Sequence, residues 1–298
     1  FFLIFVFYKP FGAKYIFDVH DLFVNTFESK YSEKKSAVKK IFIAVLNLVE
    51  KLNLKMTDYI VTTNQSYKEY LIEKYGINES NFFIVRNAPE LDGRLDVQKD
   101  ESLKNGRKYL LVFFGMMGED DGVDVILKAC HYLVHEKKFT DFYCCLIGSD
   151  NIERSPYIKE LKAIHKNLAL EEYVKFTGYL SWEKIHSYLN TADVGLSPDL
   201  FTVQNNISTM IKIMEYMSHG LPILSFSLKE NQYSAGDAAV YCESFDYKDF
   251  AGKIIYMCGN PELLSQKKQI GLERYKNTFN WSNSKKSLTN LYSRFLNV

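Results

Sequence analysis

The segment 208–226, STMIKIMEYMSHGLPILSF, combines residue types that suit the binding of an anionic ligand. Ser208 and Thr209 are good N-caps, and the N–H groups at a helix start attract phosphate or carboxylate. Lys212 adds a positive charge to the same helix, and Glu215 could accept hydrogen bonds from ribose hydroxyls. The alternative is a surface Lys–Glu pair on an amphipathic helix.

A glycine-bearing loop, GMMGEDDG at 115–122, follows the apolar run at 109–114. Glycine lets a backbone approach a phosphate closely, and a helix that starts after the loop favours anions. The spacing is neither GxGxxG nor that of a P-loop, and Asp120 and Asp121 would repel a diphosphate. A plain strand-to-helix turn is the alternative.

A third cluster, FDVHD at 17–21, ends another strand-like run. His and Asp at the carboxyl end of a parallel strand lie where such sheets present their ligand-binding loops. A turn with Asp-capped amides is the alternative reading. Asp18, His20 and Asp21 are also metal-ligand types, but no further cluster supports a metal site.

The elements that must position these residues alternate along the chain. We predict strands at 15–17, 59–63, 82–87, 109–114, 142–148, 174–178, 193–198, 222–226 and 238–242. We predict helices at 32–55, 65–75, from the glycine loop to about 135, at 157–168, 182–190, 209–218 and beyond about 246. The alternation predicts an α/β fold whose parallel strands are joined by right-handed crossovers. The polar stretch 88–107 has no periodicity and reads as a linker between two domains.

The composition bounds the class of partner and the compartment. The chain has 298 residues, 47% of them hydrophobic, which is enough for two domains with cores. Lys+Arg number 37 and Asp+Glu 36, so the net charge is +1 and no nucleic-acid partner is expected. The five cysteines have no metal-ligand spacing, and we interpret them as reduced thiols of a cytoplasmic protein.

Two segments raise the question of membrane contact. The apolar run at 1–8 is shorter than the ~20 residues that span a bilayer and lacks the features of a signal peptide. The predicted helix at 32–55 carries lysines near its start, above an apolar stripe: Lys30, Lys34, Lys35, Lys39 and Lys40. Such a helix could dock peripherally on anionic lipid at the inner membrane face. The alternative is a solvated basic helix end.

Six segments together resemble the family 4 retaining glycosyltransferases, the GT-B enzymes often labelled glycosyltransferase group 1. The stretch 207–241, ISTMIKIMEYMSHGLPILSFSLKENQYSAGDAAVY, is similar to the family's donor-site segment. The other five are FDVHDLF (17–23), IVRNAPEL (84–91), FFGMMGEDDGVDVILKA (113–129), VKFTGYLSWEKIHSYLNTADVGLSPD (174–199) and NTFNWSNSKKSLTNLYSRFL (277–296). The match covers nearly the whole chain from about Tyr15 and keeps the family's order.

The resemblance implies two Rossmann-like domains with parallel sheets that face a cleft. It places an incomplete acceptor-side domain at 1–95, a nucleotide-sugar domain at 96–276, and a helix at 277–298 that crosses back. The donor would be a nucleoside-diphosphate sugar, a co-substrate that needs no cofactor or metal, and the acceptor a glycan or lipid-linked glycan. By the same resemblance, His20 lies near the reacting sugar and Glu215 holds the donor ribose, and we predict both as catalytic. The predicted donor-binding positions are Gly115, Met116, Gly118, Gly178, Tyr179, Leu180, Ser208, Thr209, Met210, Lys212 and Glu215.

The chain departs from the family pattern in its charges. The first Glu of the family's E-x7-E motif falls at Ile207, and the Arg and Lys after the glycine loop appear as Met116 and Asp121. A leaving diphosphate needs electrostatic support, which would fall to Lys212, to the start of its helix and, more weakly, to Arg86.

The prediction is therefore a retaining glycosyltransferase of surface polysaccharide or glycoconjugate synthesis. The alternatives are a non-catalytic relative that binds a nucleotide sugar or a partner glycosyltransferase, and a nucleotide-sugar epimerase. Family members usually carry further strand–helix units before the segment FDVHDLF. We therefore expect the 298-residue chain to be unstable or inactive by itself.

Overall fold

A computed structural model describes residues 6–30, 37–90, 96–148 and 155–296 of the chain. The chain divides into two compact units. Unit 1 comprises Phe1–Asn87, Ile207–Thr209 and Trp281–Val298, and unit 2 comprises Ala88–Asn206 and Met210–Asn280. All strand pairs described in both units are parallel, so the α/β class predicted from the alternating pattern is confirmed.

Unit 1 is built around a three-stranded sheet in the order β1-β2-β3. The strands are β1 (Ile16–Val19), β2 (Tyr59–Thr62) and β3 (Phe82–Ile84). Its helices are α1 (Phe23–Lys30), α2 (Ala37–Met56), α3 (Gln65–Tyr75) and α12 (Trp281–Leu296). The start predicted for α2, at 32–36, lies outside the described residues.

Alternate residues of β2 pack on opposite faces of the unit 1 sheet, as the two-residue period of a strand requires. Ile60 packs with Leu54 and Leu71, whereas Val61 packs with Phe83 and Leu291. The sheet is therefore covered by helices on both faces, which is the usual environment of parallel strands.

Unit 2 contains a six-stranded sheet in the order β6-β5-β4-β7-β8-β9. The strands are β4 (Tyr109–Phe114), β5 (Phe142–Ile147), β6 (Val174–Gly178), β7 (Val194–Ser197), β8 (Ile223–Phe226) and β9 (Ala239–Cys242). The chain runs outward from β4 to β6 and then returns to place β7 on the other side of β4. This reversal makes the β4–β7 boundary the topological switch point of a doubly wound sheet, where such folds bind ligands.

Helices cover both faces of the unit 2 sheet. The α-helices along this part of the chain are α4 (Val123–His131), α5 (Pro156–Asn167), α6 (Trp182–Thr191), α7 (Val203–Ile207), α8 (Ile211–Ser218), α9 (Lys229–Ala235), α10 (Tyr247–Cys258) and α11 (Pro261–Asn277). In β4, Leu111 and Phe113 pack with α4, α5 and α10, while Leu110 and Val112 pack with α6, α8 and α11. All five cysteine side chains lie buried in this unit as free thiols.

The helix predicted at 209–218 begins two residues late. Helix α8 starts at Ile211, and Met210 occupies its N-cap position without a side-chain hydrogen bond. The prediction that Ser208 and Thr209 cap this helix is therefore wrong, because their side chains have other partners, described below. No helix in the described ranges combines the length and the apolar character that crossing a bilayer demands.

Candidate functional site

The glycine loop leaves the carboxyl end of β4 in a defined conformation. Gly115 has a φ of +152°, a backbone angle that favours glycine, and its N–H donates to the carbonyl of Ile147 at 3.0 Å. A 3-10 turn follows at Glu119–Asp121, in which the Gly118 N–H donates to Asp121 Oδ2 at 2.8 Å. Asp121 thus stabilises the loop through a hydrogen bond to the loop's own backbone.

The far end of the loop packs directly on the chain that leaves β7. Gly122 has a φ of +68°, and a Cβ placed there would lie 2.0 Å from the carbonyl oxygen of Pro198. The Leu200 N–H also donates to the carbonyl of Asp120 at 2.9 Å. Only glycine fits at position 122, so the sequence itself fixes this contact.

A buried ion cluster lies beneath the loop and joins three chain segments. The ammonium of Lys212, in the first turn of α8, donates to Asp199 Oδ1 at 2.6 Å and to Asp121 Oδ1 at 3.3 Å. The same nitrogen lies 4.6 Å from the centre of the Phe113 ring. A Cβ on Gly115 would lie 3.5 Å from Lys212 Cε, so the lysine side chain runs directly under the loop.

Burial and neighbouring charges shift the pKa values of this cluster in opposite directions. Burial alone would lower the pKa of Lys212, but the carboxylates of Asp199 and Asp121 outweigh it and raise that pKa. Burial raises the pKa of Asp121, against the lowering effects of the Lys212 charge and the Gly118 N–H. The lysine therefore stays charged, while its loop carboxylate is easier to protonate than an ordinary aspartate.

Tyr216 ties the two strands of the switch point together. Its hydroxyl accepts from the Phe114 N–H at 3.0 Å and donates to the carbonyl of Leu196 at 3.0 Å. The side chain is fully buried, and burial raises its pKa, so the hydroxyl remains a donor. The carboxyl-terminal parts of β4 and β7 are therefore joined by hydrogen bonds to one residue of α8.

Glu215 lies one turn after Lys212 on α8 and is also buried. The whole run from Lys212 to Ser218 is buried, so the alternative of a surface Lys–Glu pair is wrong. The Glu215 carbonyl accepts from the Ser218 hydroxyl at 2.7 Å and lies 2.8 Å from His219 Nδ1. A buried helix that carries ionisable side chains at a switch point is typical of a ligand site rather than of a solvated face.

The remaining predicted residues of unit 2 lie at the same carboxyl edge of the sheet. Gly178 ends β6 with a φ of +70°, and Tyr179, which follows it, is 87% exposed. Leu180 is partly buried, and Met116, in the glycine loop, is 81% exposed. The exposed side chains of Tyr179 and Met116 have the apolar and aromatic character that suits contact with a flat ring.

The predicted residues of unit 1 form a separate group. His20 follows β1, and its ring is held on both sides: Nδ1 lies 3.1 Å from Asp18 Oδ1, and Nε2 lies 2.9 Å from Asn87 Nδ2. An amide N–H directed at Nε2 favours the tautomer in which Nδ1 carries the proton and donates to Asp18. The ring orientation of His20 is therefore set by its neighbours.

Ser208 and Thr209 also belong to unit 1. The Ser208 hydroxyl lies 2.7 Å from the Tyr67 hydroxyl, and Thr209 Oγ1 accepts from Asn64 Nδ2 and from the Arg86 guanidinium, each at 3.0 Å. These bonds account for the late start of α8. They also place Arg86 against a threonine hydroxyl within unit 1.

Sequence reasoning missed one member of the ion cluster. Asp199 was visible only as the end of the stretch that resembles the family, and no role was predicted for it. Asp121 was interpreted as a source of repulsion, whereas it forms an ion pair with Lys212. The sequence carries no signal that joins these residues, because only the pairing of β4 with β7 in the fold brings Asp121 and Asp199 to the same lysine. Within the ranges that the structure describes, no group of His, Cys, Asp and Glu is arranged to hold a metal ion.

Comparison with known proteins gives a consistent family. The family model described as "Glycosyl transferases group 1" matches residues 108–260. Chitobiosyldiphosphodolichol beta-mannosyltransferase of Candida glabrata is 21% identical over 306 aligned residues, with 94% of this chain covered. The chain spans 64% of the length of that relative.

Solved structures agree on the fold. A glycosyltransferase from Rickettsia africae aligns with a TM-score of 0.74 at 16% identity, covering 99% of this chain and 80% of that one. HepE of Anabaena, solved in complex with UDP and glucose, aligns with a TM-score of 0.74 at 13% identity, covering 96% and 73% of the two chains. The parallel α/β architecture therefore matches that of GT-B glycosyltransferases.

Proposed function

The chain belongs to the group 1 glycosyl transferases, and from that premise we propose that it moves a sugar from a nucleoside-diphosphate donor to a glycan or lipid-linked acceptor. We take the reaction to proceed with retention at the anomeric carbon, without a metal. The Candida glabrata relative is named for a diphosphodolichol-linked sugar, which supports a lipid-linked acceptor. The HepE structure, solved with UDP and glucose, supports a nucleotide-sugar donor.

The observation that carries this proposal is the ion cluster beneath the glycine loop. Lys212 brings a buried ammonium to the switch point of the unit 2 sheet, beside Gly115 and between Asp121 and Asp199. A positive charge under a loop of backbone N–H groups is suited to a diphosphate. This arrangement supports donor binding on unit 2 even though the family's usual Arg and Lys are replaced by Met116 and Asp121.

The proposed chemistry assigns parts to several of the predicted residues. The bond between the anomeric carbon and the diphosphate oxygen breaks, and that carbon bonds to an acceptor hydroxyl whose proton passes to the released nucleotide. Lys212 and the backbone N–H groups of Met116 and Met117 stabilise the negative charge of the leaving group. Glu215 holds the ribose, Gly178–Leu180 flank the base, and His20 acts near the reacting sugar. Cytoplasmic location remains part of the same proposal.

The donor site is tested by the substitution Glu215→Ala. Loss of charge-assisted hydrogen bonds to the ribose should weaken nucleotide binding by about 10- to 150-fold, because each such bond contributes about 1.5–3 kcal/mol. Isothermal titration calorimetry with UDP, GDP and ADP measures the effect and also identifies the preferred base. The matched control is Glu243→Ala, whose carboxylate is 92% exposed after β9 and should leave binding unchanged. Unaltered binding in Glu215→Ala would remove this residue from the donor site.

Contact with a membrane surface is the second part of the proposal, and α2 supports it. One face of this helix carries apolar side chains that are 38–76% exposed in the structure: Val38, Ile41, Phe42, Val45, Leu48 and Val49. Exposed lysines at positions 40, 51 and 55 flank this stripe on one side of the helix. Apolar residues beside a line of lysines are typical of helices that lie in an anionic bilayer surface. Of the lysines predicted for such contact, Lys34 and Lys35 lie outside the described residues, as does the side chain of Lys30.

The triple substitution Lys40→Glu, Lys51→Glu and Lys55→Glu tests this contact. Each lysine near an anionic surface contributes about 1 kcal/mol, so reversing three should weaken vesicle binding about 100-fold or more. Sedimentation with phosphatidylglycerol-containing vesicles measures it, and binding by the unmodified chain should fall as salt is added. A control with the same charge change uses the exposed Lys159, Lys166 and Lys276 of unit 2. Vesicle binding that is unchanged by salt and by the α2 substitutions would exclude a lipid-binding role for this helix.

A further inference from the structure

The ion cluster carries an excess of negative charge at the place proposed for the diphosphate. One ammonium and two carboxylates leave Lys212, Asp121 and Asp199 with a net charge of −1. A nucleoside diphosphate is itself an anion. Two negatively charged groups that share a poorly solvated site disfavour each other's ionised forms. Some charge in the cluster must therefore change when the diphosphate binds.

The two carboxylates are not equivalent, and the difference shows which one changes. The Asp199 side chain is 1% exposed, lies 2.6 Å from the ammonium and also accepts a short hydrogen bond from the Ser197 hydroxyl. The Asp121 side chain is 26% exposed, lies 3.3 Å from the ammonium and belongs to the glycine loop itself. Asp199 is thus the permanent counter-ion of Lys212, whereas Asp121 is its weaker and more accessible partner.

We propose that Asp121 forms an ion pair with the ammonium of Lys212 in the free protein and takes up one proton from solvent when the diphosphate binds. The proton adds to Oδ1, the oxygen that faces Lys212, while Oδ2 continues to accept from the Gly118 N–H. The ammonium then has an N–H available for a phosphate oxygen, and the neutral carboxyl can donate its own O–H to another. This inference rests on the proposed function, because it requires the donor diphosphate to bind at this loop.

The surroundings of Asp121 favour its protonated form more than solvent does. Burial already raises its pKa in the free protein, and the neighbouring Asp199 acts in the same direction. Lys212 from α8 and the Gly118 N–H oppose that rise. The diphosphate would add a further negative charge and move the pKa upward again.

Within the described residues, the acidic groups next to Asp121 in sequence are Glu119 and Asp120 of its own turn and Asp124 in the first turn of α4, which forms an ion pair with Lys128. Glu119 and Asp120 precede Asp121, and both side chains are exposed to solvent. Their charges are therefore screened. Asp120 offers a control because it carries the same charge one residue away.

The sign of the pH dependence of Kd follows from the uptake of a proton on binding. A complex that holds one more proton than the free protein is favoured at low pH and weakened as pH rises. Full uptake of one proton corresponds to a Kd that rises about tenfold for each unit of pH. Partial uptake gives a proportionally smaller slope.

The experiment is titration calorimetry of the 298-residue chain with UDP, GDP and ADP. It is run at about pH 8, where the terminal phosphate, with its pKa of about 6, is fully ionised. Repeating each titration in buffers of different protonation enthalpy counts the protons taken up. The expected result is a net uptake of protons on binding, which the Asp121 variants lose, together with a Kd that rises with pH. Asp121→Asn should bind more tightly than the unmodified chain at this pH, with no proton uptake and little pH dependence.

Two controls separate this result from general electrostatics and from misfolding. Asp120→Asn removes the same charge from an exposed position and should keep the proton uptake. Asp121→Ala, which has no group to protonate, should repeat the loss of uptake seen with Asp121→Asn, and thermal unfolding without nucleotide checks that both are folded. Proton uptake that persists in both Asp121 variants, or that is missing from the unmodified chain while nucleotide binds, would overturn the proposal alone. Failure of all three nucleotides to bind to a chain that thermal unfolding shows to be folded would overturn the proposed function together with it.

Discussion

Lys212→Met should destabilise unit 2 by about 3–5 kcal/mol and weaken nucleotide binding by about 10- to 150-fold. The ammonium is 8% exposed and is the counter-ion of two carboxylates, one of which is almost completely buried. Removing it leaves Asp199 as an uncompensated charge in the interior, and breaking a buried pair from one side costs about 3–5 kcal/mol. The loss of affinity has the size of a charged hydrogen bond to phosphate, about 1.5–3 kcal/mol.

Urea unfolding gives the stability term and calorimetry with UDP, GDP and ADP gives the affinity term. The chain has two tryptophans, Trp182 in unit 2 and Trp281 in unit 1, so a Trp281→Phe background lets fluorescence report unit 2. The two effects separate in the double variant Lys212→Met/Asp199→Asn. Neutralising the stranded carboxylate should restore most of the lost stability, whereas nucleotide binding should stay weak.

Lys159→Met is the matched control, because Lys159 is exposed on α5 and its loss should change stability by less than about 0.5 kcal/mol. If Lys212→Met binds nucleotide as the unmodified chain does, the ion cluster is a structural feature and the diphosphate binds elsewhere. If the double variant regains binding together with stability, the affinity loss of the single variant came from disorder rather than from a missing contact.

Much of the fold follows from patterns that are local in sequence. Segments of five to seven residues, most of them apolar, between helical periodicities predicted each strand of unit 2, because parallel strands buried on both faces read as largely apolar segments. The order of the strands does not follow from such runs. The return from β6 to β7 across β4 creates the switch point, and it depends on long-range pairing such as Leu111 with Val194.

The candidate site was predicted less completely than the fold, because its chemistry depends on charges that are far apart in sequence. Lys212 was identified from its helix, but its partners lie 13 and 91 residues away, and Asp121 alone looked like a source of repulsion. The capping of α8 failed for a similar reason. Ser208 and Thr209 have the right side chains for an N-cap, yet hydrogen bonds to Tyr67 and Asn64 compete for those hydroxyls. Local propensity sets what a residue can do, and tertiary partners decide what it does.

Gly122→Ala should destabilise unit 2 by about 2–5 kcal/mol and disturb the donor loop at the same time. A left-handed backbone angle costs a residue with a Cβ about 1–2 kcal/mol, and Gly122 has a φ of +68°. A clash adds to that cost, because the new Cβ would lie 2.0 Å from the Pro198 carbonyl oxygen. Forcing an extra carbon into a packed site costs about 1–3 kcal/mol. Backbone atoms cannot rotate away as a side chain can, so the loop itself must shift.

The control Gly106→Ala separates the cost of the left-handed backbone angle from the cost of the clash with Pro198. Gly106 has a φ of +73°, nearly the same as that of Gly122, but a Cβ there would meet nothing within 4 Å. Urea unfolding should therefore show a loss of only about 1–2 kcal/mol for Gly106→Ala, and the excess in Gly122→Ala measures the contact with Pro198. Nucleotide affinity should fall only in Gly122→Ala, because displacing this glycine moves Asp121 and the Gly118 N–H with it. Equal losses of stability in the two variants, with affinity intact, would mean that the loop tolerates displacement from β7 and that its observed shape is not what binds the donor.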